Sequence, residues 1–409
     1  MKNRLAVHAE ARFAGLLSHE KSYVFAYDLR APAQAAVSLT MPVRQQVYDR
    51  PTLHPIFQMN LPEGYLLERL RNLLAKSSTA DAMVLLPLLG GESAIGRLRY
   101  SVDGPVESSE AHSSSRNAGE RLADILAHRG ADGLFDSLID RYLLRSGLSG
   151  VQPKVLVPQR PELDAVNPRQ FKAAAFTSDF IVKSGLGEFP GLAINEYVCM
   201  TVAKKAGIPC PDFYLSDDRK LFVMQRFDRR ADGSAIGFED MAVLSAKDAA
   251  KKYEGRYEDM ARLVRAYCLP QHVRQSLAQL FDMVALSCLL GNGDAHLKNF
   301  GVLYDDVEAG PVHIAPAFDI VNTTCYLPQD SLALTLAGNK SFFASRLTLL
   351  DFAGACDVPI KQARRRILEL CDVADSVLAE FAELAGEVPG LVDEVEKSVE
   401  LFRRSFAAN

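Results

Sequence analysis

Tryptophan is absent from the 409 residues, and no apolar run approaches the ~20 residues that carry a helix across a bilayer. The most apolar window, Met283-Val284-Ala285-Leu286-Ser287-Cys288-Leu289-Leu290, reads as a core helix, so no membrane association is expected. Close cysteine pairs are missing too. Cys199, Cys210, Cys268, Cys288, Cys325, Cys356 and Cys371 lie scattered in apolar contexts, which excludes a zinc ribbon or a redox pair and leaves them as reduced packing residues. An excess of positive charge is missing: 46 Lys and Arg stand against 51 Asp and Glu, a formal net charge of −5, so any nucleic-acid contact is confined to a local patch. The first twelve residues lack the basic-then-apolar order of a secretory leader, and a cytoplasmic location is expected. There is no internal repeat and no Gly-x-Ser-x-Gly elbow.

The composition is that of a globular chain, 48% hydrophobic and 24% charged, long enough for two or three packed units. Short runs such as Tyr23-Val24-Phe25-Ala26-Tyr27 and Ala36-Val37-Ser38-Leu39, separated by polar turns, predict a small β-rich unit. Leu61-Pro62-Glu63-Gly64 opens a helical pattern through Leu66, Leu67, Leu70, Leu73 and Leu74, and Ile95 to Tyr100 reads as a strand. Residues 101–119, rich in Ser, Glu, Gly and Asn, read as a linker. Beyond Val223 the pattern is mainly helical. The class is therefore α+β, divided into residues 1–105, a linker over 106–118, a mixed unit over 119–228 and a helical unit over 229–409.

The chemistry concentrates where a buried helix ends. Val273, Leu277, Leu280, Phe281, Val284 and Cys288 recur at helical spacing, and Gly291 is a natural stop. Asp294, His296, Lys298 and Asn299 then fall within six residues, before the strand-like Phe300-Gly301-Val302-Leu303-Tyr304. Phosphoryl transfer needs a carboxylate for the attacking hydroxyl, a magnesium ligand and cations on the phosphates. Asp294 and Asn299 stand at the interval that separates catalytic aspartate from metal-binding asparagine in kinase loops. The competing reading is a solvated turn. Asp319, within the apolar, strand-like run Ala315-Pro316-Ala317-Phe318-Asp319-Ile320-Val321, is a second candidate metal ligand, against a helix cap or a buried arginine pair. Upstream, Phe180-Ile181-Val182-Lys183 reads as a strand ending in a lysine, and Glu196 lies on the small and apolar face of a helix from about Leu192 to Ala206. Together they could hold the α- and β-phosphates. Backbone groups near Gln225 and Phe227 are candidates for adenine, and His296 for a phosphate contact. The basic run Lys361, Arg364, Arg365 and Arg366 opens a C-terminal helix as a solvated face.

Taken together, Ser149-Gly150-Val151-Gln152-Pro153-Lys154, Asn195-Glu196-Tyr197, Arg226-Phe227-Asp228-Arg229, Asn292-Gly293-Asp294-Ala295-His296-Leu297-Lys298-Asn299 and Phe318-Asp319 resemble the HipA family of bacterial toxin kinases. His54-Pro55-Ile56-Phe57, Asn60-Leu61-Pro62-Glu63-Gly64 and Gly90-Gly91-Glu92 look like that family's N-terminal subdomain, so the resemblance covers most of the chain. It implies a two-lobed kinase-like fold, ATP and Mg2+, transfer to a protein serine or threonine, and a HipB-type helix-turn-helix antitoxin through which alone DNA would be reached. Family members are known to target aminoacyl-tRNA synthetases, so the resemblance points to such an enzyme as a candidate acceptor. The resemblance carries the catalytic base onto Asp294, the metal ligands onto Asn299 and Asp319, the ATP lysine onto Lys183 with Glu196 as its ion-pair partner, and the phosphate loop onto 149–154. ATP contacts are further expected from Gln225, Arg226, Phe227, His296, Leu297 and Lys298. Autophosphorylation in the phosphate loop falls to Ser149, with Ser146 as the alternative, because Gly147 stands where the family commonly has its first serine. Two other readings remain: a small-molecule phosphotransferase of the aminoglycoside-kinase kind, and a non-catalytic subunit that only assembles with an antitoxin on DNA.

Overall fold

Short runs of β-branched and aromatic residues broken by polar turns make strands. The computed structural model describes residues 4–61, 63, 67, 81–89, 94–102, 126–127, 172–176, 180–185, 189–308 and 310–406. In it the N-terminal runs form β1 (Arg4–Ala9), β2 (Arg12–His19), β3 (Tyr23–Tyr27), β4 (Tyr48–Arg50) and β5 (Leu98–Ser101). They pair antiparallel in the order β4-β3-β2-β1-β5. Two short helices, α1 (Pro55–Gln58) and α2 (Ala82–Leu89), accompany this sheet. The expected strand at Ala36-Val37-Ser38-Leu39 does not form. Its polar groups go to a distant carboxylate instead: Ser38 Oγ and Leu39 N each donate to Glu239 at 2.7 Å.

His54 precedes α1, its carbonyl accepting from Phe57 N and Gln58 N, and its ring meets Phe57 edge-on at 5.8 Å. Burial, then the charge of Arg50, pushes this imidazole down to about 4. A histidine whose folded pKa is depressed leaves the unfolded chain holding the extra proton between about pH 4 and 6.5. Stability therefore falls as pH falls through that window, by up to ~3 kcal/mol. Thermal melts of the His54→Phe chain at pH 4.5 and 7 should differ less than those of the parent; an equal difference would show that His54 is not a source of the acid sensitivity.

A second sheet joins β6 (Lys172–Phe176), β7 (Phe180–Gly185), β8 (Phe213–Leu215) and β9 (Leu221–Gln225) in the order β6-β7-β9-β8. Against it packs α3 (Leu192–Lys205), buried from Leu192 to Ala203 except Tyr197. The remainder is mainly helical. The chain runs through β10 (Gly237–Asp240), α4 (Met241–Leu244), α5 (Tyr257–Tyr267), α6 (Pro270–Leu289), β11 (Gly301–Tyr304) and β12 (His313–Ile314). It then continues through α7 (Phe342–Ala355), α8 (Ile360–Glu380), α9 (Ala382–Ala385) and α10 (Leu391–Phe406). Proline in the first turn suits the opening of α6, since its missing N–H would have no helical partner there. Leu277, Leu280, Phe281, Val284 and Cys288, spaced as the periodicity predicts, are all buried. Of the basic run at the start of α8, Arg366 is not a solvated residue: it pairs with Asp282 at 2.9 Å and donates to Ala206 O at 2.7 Å.

One large core spans the second sheet and the helices, and a second fills the N-terminal unit. The second core also takes Phe238, Val243, Leu303 and Ala315 from the helical part, so the two packings share a boundary. Among the described residues no helix is long and apolar enough to cross a membrane.

Candidate active site

The loop after α6 is held by its own backbone. The helix is ended by Leu290, and Gly291 has φ +64°, a left-handed turn that glycine enters without steric cost. Gly293 is required for a different reason: a Cβ there would stand 2.0 Å from Asp330 Oδ2 and 2.8 Å from Ser331 O. Asn292 N donates to Ser287 O at 2.8 Å, and Asn292 Oδ1 accepts from Asp294 N at 3.1 Å. Asp294 O accepts from His296 N and from Asn299 Nδ2, both at 2.8 Å. The five-residue interval between aspartate and asparagine is thus closed by a direct bond. On the Asp294 side chain, Oδ1 accepts from Tyr253 OH at 2.6 Å.

His296, expected to contact a phosphate, lies enclosed beside the loop. Its ring is buried edge-on to Tyr253 at 5.0 Å, and burial, outweighing the charge of Asp294, pushes its pKa down to about 4. A neutral imidazole would meet a phosphate as an N–H donor. Leu297, expected beside ATP, is a core residue whose N–H donates to Lys252 O at 3.1 Å. Lys298 pairs with Glu63 at 2.5 Å; burial works against its charge, but Glu63 and Asp240 outweigh burial and hold its pKa above the ordinary value.

Lys183 on β7 reaches Glu196 Oε1 on α3 at 2.6 Å and Asp319 Oδ1 at 2.7 Å. The two residues expected on phosphate and metal therefore meet through one ammonium. All three side chains are largely buried, so the pair geometry is set by packing rather than by solvent. Asp319 is not in the strand expected for Ala315–Val321. It lies beyond β12 with φ +58°, a conformation that aspartate tolerates better than most residues and that persists only where surroundings impose it. The surroundings include a reciprocal amide pair: Asn195 Nδ2 donates to Asn322 O and Asn322 N to Asn195 Oδ1, each at 2.8 Å. Asn322 Nδ2 further donates to Leu290 O at 2.7 Å. Helix α3, the end of α6 and the Asp319 segment are joined at one point.

Arg226, expected beside ATP with Gln225 and Phe227, has another task. Its guanidinium grips Asp228 with Nε at 2.9 Å and Nη2 at 2.7 Å, and reaches Ala94 O at 2.7 Å. Arg229 adds a contact to Asp228 at 2.9 Å, and Gly96 N donates to the same carboxylate at 2.8 Å. These groups fasten the N-terminal unit to the rest of the chain. Gln225 N is taken by Asp212 O at 2.7 Å, and the Phe227 ring stacks on Phe318 at 5.1 Å. Ser146 and the segment 149–154 lie outside the described residues.

Asn292, Asn299, Phe318 and Asp319 line one small cleft, together with Ser287. The donor set suits a hard cation: an amide oxygen on Asn299 and a carboxylate on Asp319. Because Asn299 Nδ2 is committed to Asp294 O, its oxygen is the end a cation would use. Among the described residues no three His, Cys, Asp or Glu side chains cluster as a metal cage. Magnesium would be held here by these two side chains with phosphate oxygens and water, the arrangement it takes in phosphoryl-transfer enzymes. The residues fit the group.

Sequence reasoning missed Tyr253, Asn322 and Lys252. Tyr253 and Lys252 reach the loop from a turn some forty residues upstream, and nothing in their local pattern marks them. Asn322, three residues beyond Asp319, carries a faint signal as a polar residue in an apolar run.

The "HipA N-terminal domain" family matches residues 5–101, and the "HipA-like C-terminal domain" family matches residues 146–378, more than half of the chain. The chain belongs to the HipA family. It is 27% identical over 376 residues to "Putative kinase Y4mE" of Sinorhizobium fredii, covering 85% of this chain and 83% of that protein. A second protein of that organism, "Putative kinase Y4dM", is 26% identical over 244 residues, 55% of this chain and 58% of its own length. The structure matches HipA of Shewanella oneidensis MR-1, solved with HipB and operator DNA, with a TM-score of 0.61 at 16% identity, over 99% of this chain and 96% of that one. The HipA fold expected from the resemblance, sheets first and helices after, is the fold observed.

Proposed function

We propose that this HipA-family chain is an ATP- and magnesium-dependent serine/threonine protein kinase that acts as the toxin of a toxin-antitoxin pair. The observation that carries the reading is Lys183 bridging Glu196 and Asp319 in the same fold that ties Asn299 to Asp294. In this reading Asp294 accepts the proton of the acceptor hydroxyl as its oxygen bonds to the γ-phosphorus and the bond to ADP breaks. Lys183 steadies the α- and β-phosphates, and Glu196 keeps that lysine charged and aimed. Asn299 and Asp319 would hold magnesium, which would supply charge neutralisation on the phosphates.

The acceptor in this reading is a protein, an aminoacyl-tRNA synthetase being the first to try. A HipB-type antitoxin is the proposed partner, with DNA bound through it; the Shewanella complex supports this. Ser149 is proposed as the self-phosphorylation site, and phosphate mapped to Ser146 would move it.

The test is transfer of labelled γ-phosphate to protein, together with nucleotide affinity measured with and without magnesium. Asp319→Ala should abolish most of the gain in ATP affinity that magnesium brings, about tenfold or more. An unchanged gain would remove Asp319 from the metal site. Transfer to small alcohols with no protein labelled would replace the protein-kinase reading with a small-molecule one.

A further inference from the structure

Glu63, Lys252, Lys298 and Tyr253, to which the proposed mechanism gives no step, form a chain of contacts that begins in the N-terminal unit and ends on Asp294. Glu63 stands between two lysines, its Oε2 2.7 Å from Lys252 Nζ and its Oε1 2.5 Å from Lys298 Nζ. Lys252 is followed by Tyr253, whose hydroxyl donates to Asp294 Oδ1 at 2.6 Å. The backbone closes the circuit, since Lys252 O accepts from Leu297 N at 3.1 Å. The 252–253 turn is therefore pinned twice to the 294–299 loop and once, by charge, to Glu63.

We propose that Tyr253 is a positioning residue for Asp294, and that Glu63 of the N-terminal unit sets its seat through Lys252. The proposal rests on Asp294 being the base, as argued above. An ionised carboxylate has two oxygens and about four acceptor sites. A bond from Tyr253 to Oδ1 thus restrains the rotation of the carboxylate and uses only part of that capacity. A carboxylate free to rotate spends less time at the attack geometry, and small misplacements of reacting groups are costly in rate. The phenol itself is held by its ring against His296 at 5.0 Å and by its neighbour's ion pair. Because Glu63 is half-exposed, its ion pairs add little to folding stability. Their effect is on where the turn sits. Two lysines sharing one carboxylate would otherwise repel, and losing Glu63 leaves Lys252 to swing away with the Tyr253 turn.

The experiment is a kinetic cycle on the full-length chain with ATP and a protein acceptor, or with self-transfer as the readout. Tyr253→Phe should lower kcat about tenfold, ~1.4 kcal/mol on the barrier, with KM for ATP changed less than twofold. Glu63→Gln should lower kcat several-fold in the parent and not further in the Tyr253→Phe background. Equal losses from Glu63→Gln in both backgrounds would overturn the relay, as would an unchanged kcat in Tyr253→Phe. A rise in kcat on removing the phenol hydroxyl would mean that it blocks the acceptor's place, and would overturn the proposal too. Asp294→Asn run alongside separates this from the larger reading: if that variant transfers phosphate normally, the base assignment fails, whereas a dead Asp294→Asn with a normal Tyr253→Phe sinks only the relay. Melting temperatures of both single variants within about 2 °C of the parent would keep folding out of the comparison.

Discussion

Asp294→Asn should reduce phosphate transfer by about a thousandfold, the scale expected when a positioned general base is removed, while the chain keeps its fold. The substitution conserves size. The backbone bonds that shape the loop, from Asp294 N to Asn292 Oδ1 and from His296 N and Asn299 Nδ2 to Asp294 O, do not involve the side chain. An asparagine oxygen can still accept from Tyr253. What disappears is a negative acceptor for the proton of the attacking hydroxyl. ATP affinity should change little, because Lys183, Asn299 and Asp319 are untouched, and the loss should appear in kcat. The measurement is single-turnover transfer of labelled phosphate with binding followed separately. Residual transfer within about tenfold of the parent would take the proton-accepting role away from Asp294.

Asp228→Ala should cost about 3–5 kcal/mol of stability, the range for removing one partner of a buried ion pair. The carboxylate receives Arg226 through two nitrogens, Arg229, and the Gly96 N–H, and its pKa lies below the ordinary value because these partners, led by Arg226, outweigh burial. Without it two buried guanidinium groups face each other. Arg229 already has a pKa pushed down to about 9 by burial and by Arg226. The segment at Ala94 and Gly96 would lose its anchor, so the N-terminal unit should become susceptible to protease before the helical part unfolds. Urea unfolding with limited proteolysis reads both effects. A loss below about 1 kcal/mol would show that Glu239 and Asp248, which also receive groups from the N-terminal unit, carry the attachment without it.

Local pattern sufficed where one element decides the outcome. The periodicity of 273–288 and the stop at Gly291 place α6 and the start of the loop; the apolar run ending in Lys183 places β7; Glu196 on the small-residue face of α3 points inward as read. What was not legible depends on contacts distant in sequence. The apolar character of Ala36 to Leu39 suggests a strand, but Glu239, two hundred residues away, takes its polar groups. Asp319 sits in a run that reads as extended, while the Asn195 and Asn322 pair, joined across 127 positions, shapes the segment that follows it. The motif Arg226-Phe227-Asp228-Arg229 is visible as a charged string, yet only the fold shows that its charge is directed at Ala94 and Gly96. Polar residues carry their chemistry in the sequence and their addressees only in space.

The Asn195 and Asn322 pair restricts how this molecule can be controlled. A kinase that is switched by swinging its glutamate helix outward needs that helix to part from the segment that here bears Asp319. Here the two are joined by paired hydrogen bonds between amide groups, one residue from Glu196 and three residues from Asp319, in an interior where breaking them strands buried donors and acceptors. Glu196 and Asp319 consequently lie on segments held to each other both by these bonds and through Lys183. An outward swing of the helix would have to break these buried hydrogen bonds and part Lys183 from one of its two carboxylates, so such a position carries both costs.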